Sequence, residues 1–183
     1  MATRTSGPRL PLIDQPSDPQ AVEAFDSIRS RTGRILNLHR ILGYAPKLMN
    51  ASGEMALALR HGTALPRTLI ELLILRTAQL LRSDYEWQQH HPMALACGLT
   101  QPQIEALDRF EQSPLFSDAE QAALSFCESI VNGIEAEPQA FARLQARFSP
   151  REIVELTMAV CHYIATARFV QALGVPLEGG AQK

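Results

Sequence analysis

The sequence predicts an all-α fold. No stretch shows the two-residue alternation of a half-buried strand; apolar residues recur every three to four positions instead. Pro and Gly fall between the periodic segments rather than within them, with few exceptions. Three S/T-x-x-E/Q sequences stand just before apolar runs, as helix capping boxes do.

The elements come in order. "SDPQAVEAFDSIRSRTG" starts at a Ser17 or Asp18 cap and places Val22, Phe25 and Ile28 on one face. "RILNLHRILGY" is a short apolar helix ending near Gly43, and "APKLMNASGEMALALRHG" starts near Pro46 and stops near Gly62. "PRTLIELLILRTAQLLRS" is apolar almost all round, which predicts a central position in the core. "DYEWQQHHPMALACG" comes next with almost no loop and ends at Gly98. Pro92 removes a backbone donor and predicts a bend or break beside His90 and His91. "TQPQIEALDRF", "SDAEQAALSFCESIVNG", "EPQAFARLQARF" and "SPREIVELTMAVCHYIATARFVQALG" complete the chain. Thr100 with Gln103, Ser117 with Glu120 and Ser149 with Glu152 are the capping boxes.

Composition narrows the function. The chain has 183 residues, enough for one sizeable core. Seventeen basic residues oppose nineteen acidic ones, with no basic–aromatic interleaving, so nucleic acid is not expected as a partner. No uninterrupted apolar run has the length of a membrane span, so no membrane partner is expected either. Residues 1–16 lack an apolar signal core and carry three prolines. They are expected to form an extended N-terminal arm of a cytoplasmic protein, one that could lie on a neighbouring subunit. Residues 17–183 are expected to form a single helical domain. Cys97, Cys127 and Cys161 are odd in number, far apart and without a C-x-x-C; each stands among apolar neighbours and is expected to be a small buried core residue.

One constellation can carry chemistry. Glu86 and His90 stand four residues apart on one predicted helix, hence on one face. A carboxylate beside an imidazole orients the ring and favours its charged form, a pair suited to proton transfer near neutral pH. A solvated surface pair has the same spacing. Glu71 interrupts the series Leu69, Ile70, Leu72, Leu73, Ile74, Leu75. It is either on a narrow exposed strip or buried with a donor, for which Arg67, Arg76 and His90 are the candidates. No H-E-x-x-H, nucleophile elbow or phosphate loop is present, so neither a metal nor a cofactor is expected. A faint repeat aligns "PRTLIELLILRTA" with "PREIVELTMAVCH", pairing Glu71 with Glu155. The copies then diverge, because Glu86 and His90 face Val170 and Gly174.

At these residues "ELLILRTAQLLRSDYEWQQHHPMALACGLTQPQIEAL" resembles the carboxymuconolactone decarboxylase family, within the alkylhydroperoxidase D-like superfamily. "ARFVQALGVPLE" is similar to the ending of many members, and the resemblance spans roughly Pro46 to Glu178. The redox branch of that superfamily carries Glu, then C-x-x-C, then His. Its Glu falls on Glu71, its His on His90, and its two cysteines on Ser83 and Glu86, so both thiols are absent. The chain therefore resembles the non-redox branch. The resemblance implies a central helical hairpin, a homo-oligomer (trimer or hexamer) and a cofactor-free lyase or isomerase acting on a small carboxylated or lactone substrate. In it His90 is the proton donor, Glu86 orients it or assists, and Glu71 links to it from the preceding helix. Arg76 or Arg168 would meet a substrate carboxylate, and Tyr85 and Trp87 would wall the pocket. The alternatives are a thiol-dependent peroxidase, disfavoured by the missing cysteines, and a non-catalytic ligand-binding oligomer.

Overall fold

A computed structural model describes residues 7–179. Among them the chain is helical throughout, with no strand. The α-helices are α1 (Pro19–Thr32), α2 (Asn37–Leu42), α3 (Pro46–His61), α4 (Arg67–Leu80), α5 (Asp84–Ala96), α6 (Gln101–Glu105), α7 (Asp118–Asn132), α8 (Pro138–Gln145) and α9 (Pro150–Leu173). A 3₁₀ turn covers Leu107–Gln112. All three expected capping boxes form: Thr100, Ser117 and Ser149 each accept from the amide three residues on, while Gln103, Glu120 and Glu152 reach back. Each satisfies amides that the first helical turn leaves without an intrahelical partner.

The described residues fall into two compact units. One is built from the residues up to Leu57 and from Phe169 onward. Its small core is Ala24, Phe25, Ile28 and Met49. α1 starts at Asp18, whose side chain accepts from the Gln20 amide, and ends at Gly33 with φ 74°, a left-handed cap suited to glycine. Val22, expected on the buried face, is 39% exposed; the buried face runs through Ala21, Ala24, Phe25 and Ile28 instead. Gly43 lies so close to Phe25 that an added Cβ would stand 2.6 Å from the ring. The first six residues of the expected arm lie outside the described residues. What is described of the arm bonds within its own unit: Arg9 N–H donates to the Leu173 carbonyl, Ile13 N–H to that of Arg40, and the Tyr44 hydroxyl to that of Pro11.

The second unit, Ala58–Arg168, holds the larger core. α4 is its centre, packing on α5, α7 and the 3₁₀ turn. Leu69, Ile70, Leu72, Leu73, Ile74 and Leu75 are all buried, as an all-round apolar helix requires. α4 and α5 form the expected hairpin. Only residues 81–83 separate them, and Arg82 makes the reversal with a left-handed φ of 52°. Ser83 caps α5 by accepting from the Glu86 amide. α5 continues through Pro92 to Ala96 without a break. α9 has a window of mean hydropathy 1.3, long and apolar enough by composition to cross a membrane, and a third of that window is buried.

Candidate active site

Glu71, Glu86 and His90 come together in the second unit. All three are buried: Glu71 is 0% exposed, Glu86 4% and His90 5%. The α4–α5 hairpin explains the meeting. Glu71 sits on the α4 face turned to α5, and the tight reversal sets His90 opposite it. His90 Nδ1 lies 2.8 Å from Glu71 Oε2. The other oxygen of Glu71 accepts a charge-assisted hydrogen bond from the Arg67 guanidinium, one turn earlier on α4. Of the three candidate donors to Glu71, Arg67 and His90 serve. With Glu71 as acceptor, the proton of a neutral His90 ring sits on Nδ1 and the lone pair on Nε2.

Nε2 faces Glu86 Oε2 at 3.6 Å. That is longer than a direct hydrogen bond. The i,i+4 spacing thus puts Glu86 at the free nitrogen, while Glu71 does the orienting. Burial pushes the Glu86 carboxyl above the ordinary carboxylate range, opposed by His90 and by Arg60 and reinforced by Glu71. The position of Glu86 in the first turn of α5 favours a negative charge by about 0.3–1 kcal/mol. Desolvating a carboxylate costs several kcal/mol, so burial wins.

Two further residues complete the cluster. The Tyr163 ring on α9 meets His90 edge-on, with centroids 5.0 Å apart and planes at 87°. Its hydroxyl accepts from Arg60 Nη1 at 3.1 Å. Burial pushes the Tyr163 hydroxyl up to about 12, so it keeps its proton. Arg60 is half-buried near the end of α3, and its carbonyl accepts from Arg67 Nη1. Neither Arg60 nor Tyr163 was expected from the sequence. "CHYI" did contain the signal, an aromatic ring beside a histidine in a long apolar helix.

Of the remaining expected site residues, neither arginine bonds to the cluster. Arg76 is committed to Glu128 and, at 2.9 Å, to Gln79. Arg168 is exposed. Tyr85 is buried, and Trp87 is half-buried against the core, its ring 5.9 Å from that of His91. A polar groove of about 430 Å³ borders Glu111, Glu128, Glu135 and Glu137, and none of the His90 cluster lines it. Among the described residues no group of three or more His, Cys, Asp and Glu is arranged to share a metal ion. The expectation that all three cysteines are core residues holds for Cys127 alone; Cys97 is half-buried and Cys161 exposed. Hydropathy of neighbours in sequence overlooked the outer face of α9. Burial raises the Cys97 thiol and pushes Cys127 up to about 12, which disfavours the thiolate in both.

Residues 46–129, which contain the hairpin and the Glu71–Glu86–His90 cluster, match the carboxymuconolactone decarboxylase family. Over this segment, less than half of its length, the chain is similar to that family. It is also 35% identical over 75 residues to YnjA, an uncharacterized protein of Escherichia coli strain K12. That match takes in 40% of this chain and 41% of YnjA, so the chain spans about two fifths of the curated relative. Solved structures share the fold. A peroxidase-related protein from Silicibacter sp. TM1040 superposes with a TM-score of 0.80 at 17% identity, over 98% of this chain and 96% of its own. The debrominase Bmp8, in complex with 2,3,4-tribromopyrrole, gives 0.78 at 19%, over 92% and 91%. An Agrobacterium tumefaciens protein, ATU0492, gives 0.71 at 21%, over 76% and 97%. The alkylhydroperoxidase D-like helical fold is therefore shared.

Proposed function

We propose that this protein is a cofactor-independent lyase or isomerase that works by general acid/base catalysis on a small carboxylated or lactone substrate. One observation carries the proposal: Glu71 meets His90 at Nδ1 while Nε2 faces the carboxyl of Glu86, whose hold on its proton burial strengthens. The pair Glu86–Nε2 can hold one proton on either partner, which is what a proton shuttle needs. In the decarboxylating form, the bond between the substrate carbon and its carboxylate breaks and CO2 leaves. The electron pair spreads into an unsaturated lactone, and His90 Nε2–H then protonates the carbon. That proton is the one the Glu86–Nε2 pair shares, and solvent then restores it to Glu86. In the isomerising form, Nε2 removes a proton from one carbon and delivers it to another.

The working form is a homo-oligomer. Support comes from α9, where Val154 is 62% exposed, Met158 is 42% exposed and Cys161 is exposed at i, i+4 and i+7. Light scattering of the wild type and of Val154→Glu/Met158→Glu tests this; a monomeric wild type would refute it.

A panel of unsaturated lactones and β-keto acids, assayed with wild type and His90→Gln, tests the chemistry. Turnover that survives unchanged in His90→Gln would sink the acid/base mechanism. Peroxide consumption lost in the Cys97→Ser/Cys127→Ser/Cys161→Ser variant would replace it with thiol chemistry.

A further inference from the structure

We propose that Arg60, backed by the Tyr163 hydroxyl, is the anchor for a carboxylate that the substrate keeps through the reaction. The proposal rests on the acid/base reading of His90 for its role in turnover, and on Arg60 alone for binding. Among the described residues, half-buried arginines are normally paired: Arg40 with Asp14, Arg67 with Glu71, Arg76 with Glu128. Arg60 is the exception. Its side chain makes one bond among the described residues, from Nη1 to the neutral Tyr163 oxygen. A guanidinium carries five N–H donors in a planar fork, so Nε and Nη2 remain to grip an oxyanion bidentately. A partly desolvated cation without a counter-ion is costly unless a ligand supplies the charge.

Placement favours a substrate over a structural anion. Tyr163 touches both groups: its hydroxyl meets Arg60, and its ring meets His90. The Arg60 charge also bears on Glu86, Tyr163 and His162. Tyr163 thus joins the Arg60 fork to the His90 ring. The anchor decides which carboxylate it holds. Loss of CO2 needs the carboxylate charge to move into the breaking C–C bond, and a guanidinium holds that charge on oxygen. The carboxylate on Arg60 is the retained one, and any leaving carboxylate faces His90 instead. The substrate class is thus a dicarboxylate for decarboxylation or a monocarboxylate for isomerisation.

Succinate and acetate are the probes, read by calorimetry and by the imidazole NMR signals of His90. Wild type should bind succinate and shift the His90 signals. Arg60→Gln should weaken binding about tenfold or more, Arg60→Lys should restore part of it, and the exposed Arg109→Gln should leave it unchanged. With an active substrate, Arg60→Gln should raise KM more than it lowers kcat. Unaltered succinate affinity in Arg60→Gln, binding that leaves His90 unshifted, or binding of inorganic phosphate but not of carboxylates would each overturn the anchor. Tyr163→Phe keeps the test open if Arg60→Gln does not fold, since it should weaken the same binding. A wild type that binds succinate through Arg60 yet turns over nothing in the panel would sink the acid/base reading and leave the anchor standing.

Discussion

Replacing Glu86 by Gln isolates the cost of holding a carboxyl in the core. Glu86 is 4% exposed, and its Oε2 lies 3.6 Å from His90 Nε2. Burial raises its pKa above the ordinary 4.5, and the opposing effects of His90 and Arg60 do not cancel that rise. The sign comes from proton counting. Above pH 4.5 the unfolded chain releases this proton and the native state keeps it, so native stability falls as pH rises through the native value. Glu86→Gln has no proton to lose and escapes that fall. One proton is worth about 1.4 kcal/mol for each pH unit between the two values. Urea unfolding of both proteins between about pH 4 and pH 8 measures the difference, because every other group titrates in both. The variant should match the wild type at the acid end and become relatively more stable toward neutral pH, up to a plateau above the native value. The same cycle in a His90→Gln background separates the contribution of the imidazole. A difference independent of pH, or one that grows as pH falls, would refute a protonated Glu86 and with it the shared proton.

Glu71→Gln should destabilise the protein by about 2–4 kcal/mol in urea unfolding, because a wholly buried carboxylate leaves Arg67 and His90 without their shared partner; Arg67 is 24% exposed at its side chain, and partial solvation keeps the loss to that range. Gly43→Ala should cost about 1–3 kcal/mol in thermal or urea unfolding, since its Cβ would stand 2.6 Å from the Phe25 ring. Ser117→Ala and Ser149→Ala should each cost about 1 kcal/mol in the same assay, as lost caps do. In the Val154→Glu/Met158→Glu variant, where the α9 face is open, Cys161 should react readily with a thiol reagent and Cys127 should not, a contrast that mass spectrometry after brief labelling reads directly.

What the sequence revealed of the site was the part that lies within one hairpin. Glu86 and His90 share a helix, so their spacing alone puts them on one face. Glu71 betrayed itself as a charge inside an apolar run, and a three-residue connection left α4 and α5 few ways to meet. Arg60 and Tyr163 were not legible. They come from α3 and α9, 103 positions apart, and neither breaks the pattern of its own helix. The fold shows the same division. The capping boxes are local hydrogen-bond patterns and all three formed. "TQPQIEALDRF" did not stay one helix. Its α-helical part ends at Glu105, and Arg109, at φ −130°, lies outside helical geometry in the next element, the 3₁₀ turn. The exposure of Val22 and Cys161 depended on which helices pack where, which periodicity alone does not fix.

The internal repeat shows how one ion pair becomes part of a site. Arg67 with Glu71 on α4 and Arg151 with Glu155 on α9 are aligned positions, and each forms the same i,i+4 pair. On α9 the pair is a tie at the surface: Arg151 is 70% exposed at its side chain, and Glu155 also accepts the Ala64 amide. Such a pair contributes little to stability. On α4 the glutamate is fully buried, and its second oxygen turns to His90. The difference lies in the residues C-terminal to each copy. Fifteen and nineteen positions beyond Glu71 stand Glu86 and His90, and beyond Glu155 stand Val170 and Gly174. A carboxylate held only by arginine can brace a helix. The same carboxylate with an imidazole on its free oxygen sets a tautomer and aims Nε2 at a carboxyl whose burial favours its protonated form. On the acid/base reading, what separates the copies is therefore the partner helix α5, while the Arg–Glu pair stands in both.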